Sequence, residues 1–260
     1  MTRLVRIIVT LAGLGLAWQA IVSLAALPPY ILPGPLPVAE AFIARADIIV
    51  TAALVTAGEI VLGMIAGTLF GVMSALALAA FRPARRWLMP LLVVSQAIPV
   101  FALAPLLVLW LGYGIASKIV MAGLIIYFPV TTAFFDGLRR TEPGWLDLAR
   151  TMGATRLAAL RQIRIPAALP ALASGLRVAA AVAPIGAVIG EWVGSSAGLG
   201  YLMLQANARA QIDLLFAALI TLGAFAVLLY YAVDGGLRRL LAWQTETNPA
   251  DEPWPAKNRP

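Results

Sequence analysis

Residues 147–170 read DLARTMGATRLAALRQIRIPAALP, an arginine-studded stretch that lies between long apolar runs. Gly153 can take a left-handed backbone conformation that ends one helix and redirects the chain. Pro166 has no backbone N–H and is expected to stop a second helix. The stretch is therefore predicted to form two short helices in the one sizeable water-facing loop of an otherwise apolar chain.

The first of these helices carries a narrow apolar stripe. Trp145, Leu148 and Met152 stand at positions i, i+3 and i+7, so their side chains share one helix face. Such a stripe can enter the groove of a partner protein. It can also lie on a lipid surface while the neighbouring arginines contact anionic headgroups. The motif described below favours docking to a protein.

The composition is that of a membrane protein. The chain of 260 residues is 62% hydrophobic and 12% charged, whereas ordinary soluble domains have about 25% charged residues. It contains no cysteine and no histidine, which excludes disulfides, thiolate chemistry and histidine-based metal binding or catalysis. We therefore expect neither a metal nor another cofactor on this chain.

Six apolar runs are predicted to cross the membrane, whose hydrocarbon layer is about 30 Å thick. They cover approximately residues 7–27, 51–80, 87–111, 119–135, 174–193 and 214–233. The first run competes with a cleaved signal peptide, because Ser23, Leu24 and Ala25 resemble a small-residue cleavage site. Its 21 residues exceed the roughly 7–15 residues of a signal-peptide core, so a retained span is preferred.

Glycines spaced by four predict close helix packing in two of these spans. Gly63, Gly67 and Gly71 follow this spacing in the second span, and Gly186 and Gly190 follow it in the fifth. A stripe without side chains lets another helix backbone approach closely. These glycines are therefore predicted to be packing positions rather than substrate contacts.

Prolines and polar residues mark a candidate pathway or gate. Pro99 and Pro105 are expected to kink the third span, and Ser95 and Gln96 lie one turn before Pro99. These two polar side chains either form interhelical hydrogen bonds or line the pathway. Glu191, near the end of the fifth span, is either a structural cap or loop anchor, or a gate or receptor contact.

The basic residues set the expected orientation. With six spans and a cytoplasmic amino terminus, Arg45, Lys118 and Arg209 fall outside, and the other sixteen of the nineteen basic residues fall on the inner side. The net charge of +7 then reflects membrane topology and does not indicate nucleic-acid binding. Both termini and the arginine-studded loop are expected in the cytoplasm.

The spacing within the loop resembles the motif of permease subunits of ATP-binding-cassette (ABC) importers. Those permeases carry Glu-Ala-Ala, three residues, Gly, nine residues, and Ile-x-Leu-Pro. The matching positions here are Asp147, Leu148, Ala149, Gly153, Ile163, Ile165 and Pro166. The departures are Asp for Glu, Leu for the first Ala, and Ile for Leu.

The resemblance covers approximately residues 32–243 and implies an all-α membrane protein. It would have six transmembrane helices in the type I ABC importer permease fold, with a cytoplasmic coupling helix. Residues 1–50 would hold the first span and a periplasmic linker, 51–236 the permease core with the coupling loop at 139–170, and 237–260 a disordered cytoplasmic tail. The residues implied in ATPase coupling are Trp145, Asp147, Leu148, Ala149, Met152, Gly153, Ala154, Ile163 and Pro166.

The same resemblance implies partners and a substrate class. A second copy of the permease, two cytoplasmic ATPase subunits and a periplasmic solute-binding protein would assemble in a bacterial inner membrane. The segments QAIPVFALAPLLVLWLGYG (96–114) and EWVGSSAGLGYL (191–202) look like the branch that serves sulfonates, taurine, nitrate and hydroxymethylpyrimidine. Residues 207–219, NARAQIDLLFAAL, are most similar to the pyrimidine members.

Two other classes of function remain as alternatives. A secondary transporter or channel usually carries ionisable residues at the membrane midplane or an inverted repeat, and neither is evident. A membrane-embedded enzyme needs a nucleophile, a base and metal ligands that these residues do not supply. The chain also lacks a GxxxxGK[ST] phosphate loop, so we expect a non-enzymatic permease driven by an ATPase on a separate subunit.

Overall fold

A computed structural model describes residues 3–244, and every regular element in this range is a helix. The helices are α1 (Arg3–Leu24), α2 (Pro35–Ala44), α3 (Ala46–Ala80), α4 (Arg82–Ala97), α5 (Val100–Leu111), α6 (Ile115–Arg139), α7 (Pro143–Thr151), α8 (Arg156–Ala159), α9 (Ile165–Gly194), α10 (Leu199–Ala208) and α11 (Ile212–Leu240). A π-helical turn, Leu160–Arg164, joins α8 to α9. The expected all-α architecture is therefore confirmed for the described part of the chain.

Among the described residues, four helical segments are long and apolar enough to cross a membrane: α3, α6, α8 continued into α9, and α11. Shorter apolar stretches, Ile8–Leu24 in α1 and the whole of α5, accompany them. A helix satisfies its own backbone hydrogen bonds within hydrocarbon. The long helices extend beyond the apolar runs of the sequence, because their hydrogen-bond ladders continue into the flanking polar turns.

The third predicted span, residues 87–111, is two helices rather than one kinked helix. α4 ends at Ala97 and α5 begins at Val100, with extended backbone at Ile98 and Pro99 between them. Proline lacks a donor and restricts the preceding residue to extended conformations, so the chain breaks there. Pro105 remains inside α5.

The boundary predicted at residue 237 is wrong. α11 continues to Leu240, and Arg238 and Arg239 lie in its last turn, where cations are favoured by the partial negative charge of the helix carboxyl end. A turn containing Trp243 and Gln244 follows. The rest of the predicted disordered tail, residues 245–260, lies outside the described residues.

The centre of the bundle is α6, which packs between α3 and α9 in the two most extensive helix contacts of the described chain. A Cβ atom added at Gly63 would lie 2.5 Å from Ala122 Cβ, and one added at Gly186 would lie 2.7 Å from Ala122 Cα. The glycines of α3 and α9 thus approach the same residue of α6 from two sides. This geometry requires glycine, because any side chain would force the helices apart.

The remaining glycines of the two stripes also face α6. A Cβ atom at Gly67 would lie 2.7 Å from the carbonyl oxygen of Gly123, one at Gly71 would lie 2.9 Å from Val130 Cγ1, and one at Gly190 would lie 3.2 Å from Lys118 Cγ. Apolar side chains fill the space around these close approaches. They include Ile60, Ile126, Val130, Ala179, Ala183 and Ala187, all buried.

The close contact at Gly67 predicts that a single added methyl group destabilises the protein. Gly67→Ala places its new methyl group against a backbone carbonyl, which cannot rotate away, so we expect a loss of about 1–3 kcal/mol in the free energy of unfolding. Thermal unfolding of the detergent-solubilised protein should show a transition several degrees lower.

Gly58→Ala is the matched control on the same helix, because nothing lies within 4 Å of a Cβ added there. This substitution should leave the transition unchanged or raise it slightly, since alanine favours helix formation. Equal transitions for the two variants would contradict the packing described here.

Candidate functional site

The arginine-studded loop folds as two helices joined by a sharp turn at Gly153. α7 ends in a Schellman motif: the Gly153 N–H donates to the Arg150 carbonyl oxygen (2.9 Å), and the Ala154 N–H donates to the Ala149 carbonyl oxygen (2.9 Å). Gly153 has φ +77°, in the left-handed region expected from the sequence. The turn therefore satisfies the last carbonyl groups of α7 while it redirects the chain.

The expectation that Pro166 ends the second helix is wrong. α8, the π-helical turn and α9 form one continuous helical segment, residues 156–194, and Pro166 lies in the first turn of α9. The wide π-helical turn directly precedes this proline, whose ring would otherwise collide with the carbonyl group four residues earlier. The loop is thus continuous with a helix that crosses the bundle.

The apolar stripe of α7 faces solvent rather than the bundle. The exposed fractions of Trp145, Leu148 and Met152 are 51%, 61% and 77%. Ala149, beside the stripe on the side nearer the bundle, is buried. A single exposed apolar side chain is common on a protein surface. Three of them on one face of a short helix form a patch that indicates an interaction surface.

The two halves of the motif meet in one open groove of about 750 Å³. α7 contributes Trp145 and Leu148, the turn contributes Met152 and Ala154, and the second helix contributes Ile163 and Pro166. Trp243, after α11, closes one side. Asp147, the first motif residue, points elsewhere and pairs with Arg150 across 2.8 Å on the exposed surface of α7.

Glu191 lies at the other end of α9, where it serves as an anchor for the next helix. Its Oε2 accepts hydrogen bonds from the N–H groups of Gly200 and Tyr201, in the first turn of α10. Its Oε1 accepts from Thr56 Oγ1 of α3 (2.6 Å). Of the two roles considered for Glu191, this geometry is that of the cap or anchor.

Of the other predicted pathway residues, the structure describes the side chain of Pro99 alone. Pro99 is exposed at the start of α5. Ser95 and Gln96 lie in α4, and their side chains are outside the described part of the structure. Among residues 3–244, no group of three or more acidic, histidine or cysteine side chains is arranged to hold a metal ion.

Sequence reasoning missed the polar contacts between helices. Nothing in the sequence indicated that Thr56 forms such a contact, because an isolated threonine in an apolar helix is common. Arg177 was counted with the basic residues of the inner side, but it lies within α9 and pairs with Asp234 of α11 across 2.7 Å. The one available signal was the presence of Arg177 inside an apolar run, since a charge there needs a partner.

The turn at Gly153 predicts different outcomes for two substitutions. No atom lies within 4 Å of a Cβ added at Gly153, so any cost comes from the positive φ. Gly153→Val should destabilise the turn by about 1–2 kcal/mol, whereas Gly153→Asn should cost less, because asparagine tolerates this conformation. Amide hydrogen exchange of the α7 segment should be roughly 5–30 times faster in the valine variant.

Exchange in the asparagine variant should stay close to that of the wild type. If valine and asparagine accelerate exchange equally, the conformation at Gly153 does not control the turn. Exchange in α11 serves as the internal reference, because it is remote from the loop in the chain.

Comparisons with known proteins show the family to which the chain belongs. The sequence pattern of the family described as "Binding-protein-dependent transport system inner membrane component" matches residues 67–242. A probable ABC transporter permease protein of Haemophilus influenzae is 54% identical over 239 residues, which cover 92% of this chain and 98% of that protein.

Two further relatives carry more specific names. The formylaminopyrimidine transport permease protein ThiX of Halalkalibacterium halodurans is 35% identical and is matched over 83% of this chain and 87% of its own length. The riboflavin transport system permease protein RibX of Chloroflexus aurantiacus is 37% identical, with 91% and 89% covered.

A solved structure shows the fold. One chain from inward-facing crystal structures of the MetNI methionine ABC transporter superposes with a TM-score of 0.66 and 20% identity, covering 76% of this chain and 98% of that chain. The expected type I permease fold is thereby confirmed. By its family pattern, its relatives and its fold, the chain belongs to the inner membrane components of binding-protein-dependent transport systems, the permease subunits of ABC transporters.

Proposed function

We propose that this permease imports a small nitrogen heterocycle of the pyrimidine type, and that a separate ATPase drives it through the loop of α7 and α8. The observation that carries the coupling role is the exposed apolar stripe of Trp145, Leu148 and Met152 beside an open groove. A stripe of this kind on a short, rigid helix suits insertion into a cleft of another protein.

The orientation follows from the positive-inside rule. Arg139 and Arg140 precede α7, and Arg156, Arg161 and Arg164 follow it, so the end of the bundle that carries the loop is strongly basic. This end would face the cytoplasm, where ATP is found. The opposite end, with α10, would face the periplasm of a bacterial inner membrane.

The assembly would contain two copies of this chain, two ATPase subunits at the cytoplasmic loops and a solute-binding protein at the periplasmic face. Closure of the ATPases on ATP would move both loops, and the helices continuous with them would switch the bundle between inward-facing and outward-facing states. The continuity of α8 with α9 supports this role, because a rigid helix transmits a displacement along its length.

The pyrimidine substrate rests on the relatives and on a short stretch of sequence. ThiX and RibX are named for formylaminopyrimidine and riboflavin, which are both nitrogen heterocycles. Residues 207–219, which were most similar to the pyrimidine members, form the end of α10 and the start of α11. We therefore favour hydroxymethylpyrimidine or a close relative over a sulfonate, taurine or nitrate.

A charge placed in the apolar stripe should break the contact with the ATPase. Leu148→Asp would bury a carboxylate in an apolar cleft, so co-purification of the ATPase subunit in detergent should fall by about tenfold or more, the equivalent of ~1.4 kcal/mol. Insertion of the permease in the membrane should be unchanged.

Arg150→Asp is the control, because it introduces the same side chain on the other side of α7. It replaces the exposed ion pair with Asp147 by two exposed carboxylates, and charge pairs of this kind contribute about 0–1 kcal/mol. Equal loss of the ATPase in both variants, or in neither, would contradict docking through the stripe.

The substrate proposal predicts which solute is transported. Proteoliposomes that hold the permease, its ATPase and its binding protein should accumulate radiolabelled hydroxymethylpyrimidine only when ATP is supplied. A large excess of unlabelled taurine should not compete. Accumulation of taurine instead would overturn the substrate while leaving the ATPase contact intact.

A further inference from the structure

We propose that Glu191 and Thr56 are positioning residues that fix α10 to α9, so that α10 moves with α9 when the loop at its other end is displaced. The proposal rests on the proposed function, because it assigns a route for the motion that the ATPase would produce. It adds a periplasmic element, α10, that responds to that motion.

The first turn of α10 is held entirely by side chains of other helices. The first N–H groups of a helix have no partner within the helix and need one elsewhere. The Leu199 N–H donates to Thr56 Oγ1 (2.8 Å), and the Gly200 and Tyr201 N–H groups donate to Glu191 Oε2. α3 and α9 thus supply the cap that Gly198, the residue before the helix, lacks.

Thr56 and Glu191 also bind each other, which closes the network. Thr56 Oγ1 donates to Glu191 Oε1 across 2.6 Å, and both side chains are fully buried. A carboxylate at a helix amino terminus is favoured by the helix dipole, and hydrogen bonds to charged groups are stronger than neutral ones. Releasing α10 would leave three buried donors without partners, so the contact resists separation.

The backbone of α10 is built to meet this carboxylate. Gly198 has φ +105°, and a Cβ atom there would overlap the Glu191 carboxyl group. A Cβ atom at Gly200 would lie 2.8 Å from Glu191 Oε2. The Gly-Leu-Gly sequence therefore lets the carboxylate lie directly against the backbone, while Leu199 packs into a buried apolar cluster with Ile49 and Leu214.

α9 connects this contact to the loop as one uninterrupted helix, with Pro170 and Pro184 inside it. Its 30 residues make it about 45 Å long at 1.5 Å per residue. Glu191 is three residues from its last residue, and the π-helical turn at its first residue leads into α8. A tilt of α9 produced at the loop must displace Glu191, and the capping bonds pass that displacement to α10.

Other ionisable side chains lie beside Thr56 and Glu191. They determine which of the two residues the experiment should replace. Glu59 of α3 is buried close to Glu191. Lys118 of α6 is buried, and its Nζ donates to the carbonyl oxygens of Tyr113 (2.7 Å) and Gly114 (3.1 Å). Changing Thr56 leaves all three ionisable side chains in place, whereas changing Glu191 removes one of them.

The test therefore compares Thr56→Val with Thr56→Ser. Valine has nearly the shape of threonine but no hydroxyl group, and serine keeps the hydroxyl group. Because the chain has no cysteine, Asn207→Cys on the exposed end of α10 gives a single labelling site. The rate of labelling by a maleimide is measured on the full permease in lipid nanodiscs with its ATPase, where both membrane faces are accessible, with and without ATP and vanadate.

We expect trapping with ATP and vanadate to change the labelling rate at position 207 in the chain with Thr56 and in the serine variant. In the valine variant this change should disappear, while ATP hydrolysis and labelling at a loop cysteine, Thr151→Cys, still respond to ATP. An unaltered change in the valine variant would overturn the proposal. So would a rate at position 207 that never depends on ATP, because α10 would then not move.

A second measurement separates this proposal from the proposed function. In the permease alone, without ATPase, Thr56→Val should speed labelling at position 207 by about fivefold, the effect of losing one buried hydrogen bond, and Thr56→Ser should not. Equal rates in the two variants would refute the cap. Failure of the wild-type chain to bind any ATPase would refute the proposed function and leave this comparison valid.

Discussion

Direct contact between helix backbones at α6 is the constraint on which the rest of the structure depends. In hydrocarbon, apolar side chains gain little by leaving the lipid for another helix, so close packing must supply the attraction. Gly63 and Gly186 approach Ala122 from opposite sides, which leaves no room for a side chain at either position. α3, α6 and α9 are thereby held as one unit. The contacts at both ends of α9 are positioned relative to this unit.

The two ends of α9 differ in which side chains are exposed and which are buried. At the loop, the backbone is shaped by Gly153 and by the π-helical turn before Pro166, and the apolar side chains of α7 point into solvent. At α10, the side chains of Thr56 and Glu191 are buried and hydrogen-bonded, and apolar side chains are buried around them. One end carries an exposed apolar surface, and the other is a buried, hydrogen-bonded contact between helices.

The sequence predicted the features that depend on local chemistry. The apolar runs located the long helices, because only a helix or a barrel satisfies its backbone in lipid. Gly153 was identified because its place in the motif and the need for a left-handed turn agree. The spacing of the glycines by four predicted packing surfaces, because it is also a local property of the chain. The sequence did not indicate that both glycine stripes pack against α6.

The features that depend on the tertiary fold were not predictable. Thr56 and Glu191 are 135 residues apart in the chain, and nothing near either residue indicates the other. Pro166 was expected to stop a helix because the local rule for proline is strong, but a wide turn before it absorbs the conflict. The break at Pro99 exceeded the expected kink because the residue before a proline is also restricted.

The π-helical turn at Leu160–Arg164 also sets how far the preceding helices are rotated about the helix axis relative to α9. Successive residues of an α-helix are rotated by about 100°, so a wide turn changes the azimuth of everything on its far side. The direction in which α7 and its stripe project around the bundle axis is therefore set by the residue count of one turn. Removing a single residue there would rotate α7 and its apolar stripe by about 100° around the axis of α9, while α3, α6 and the rest of α9 kept their arrangement.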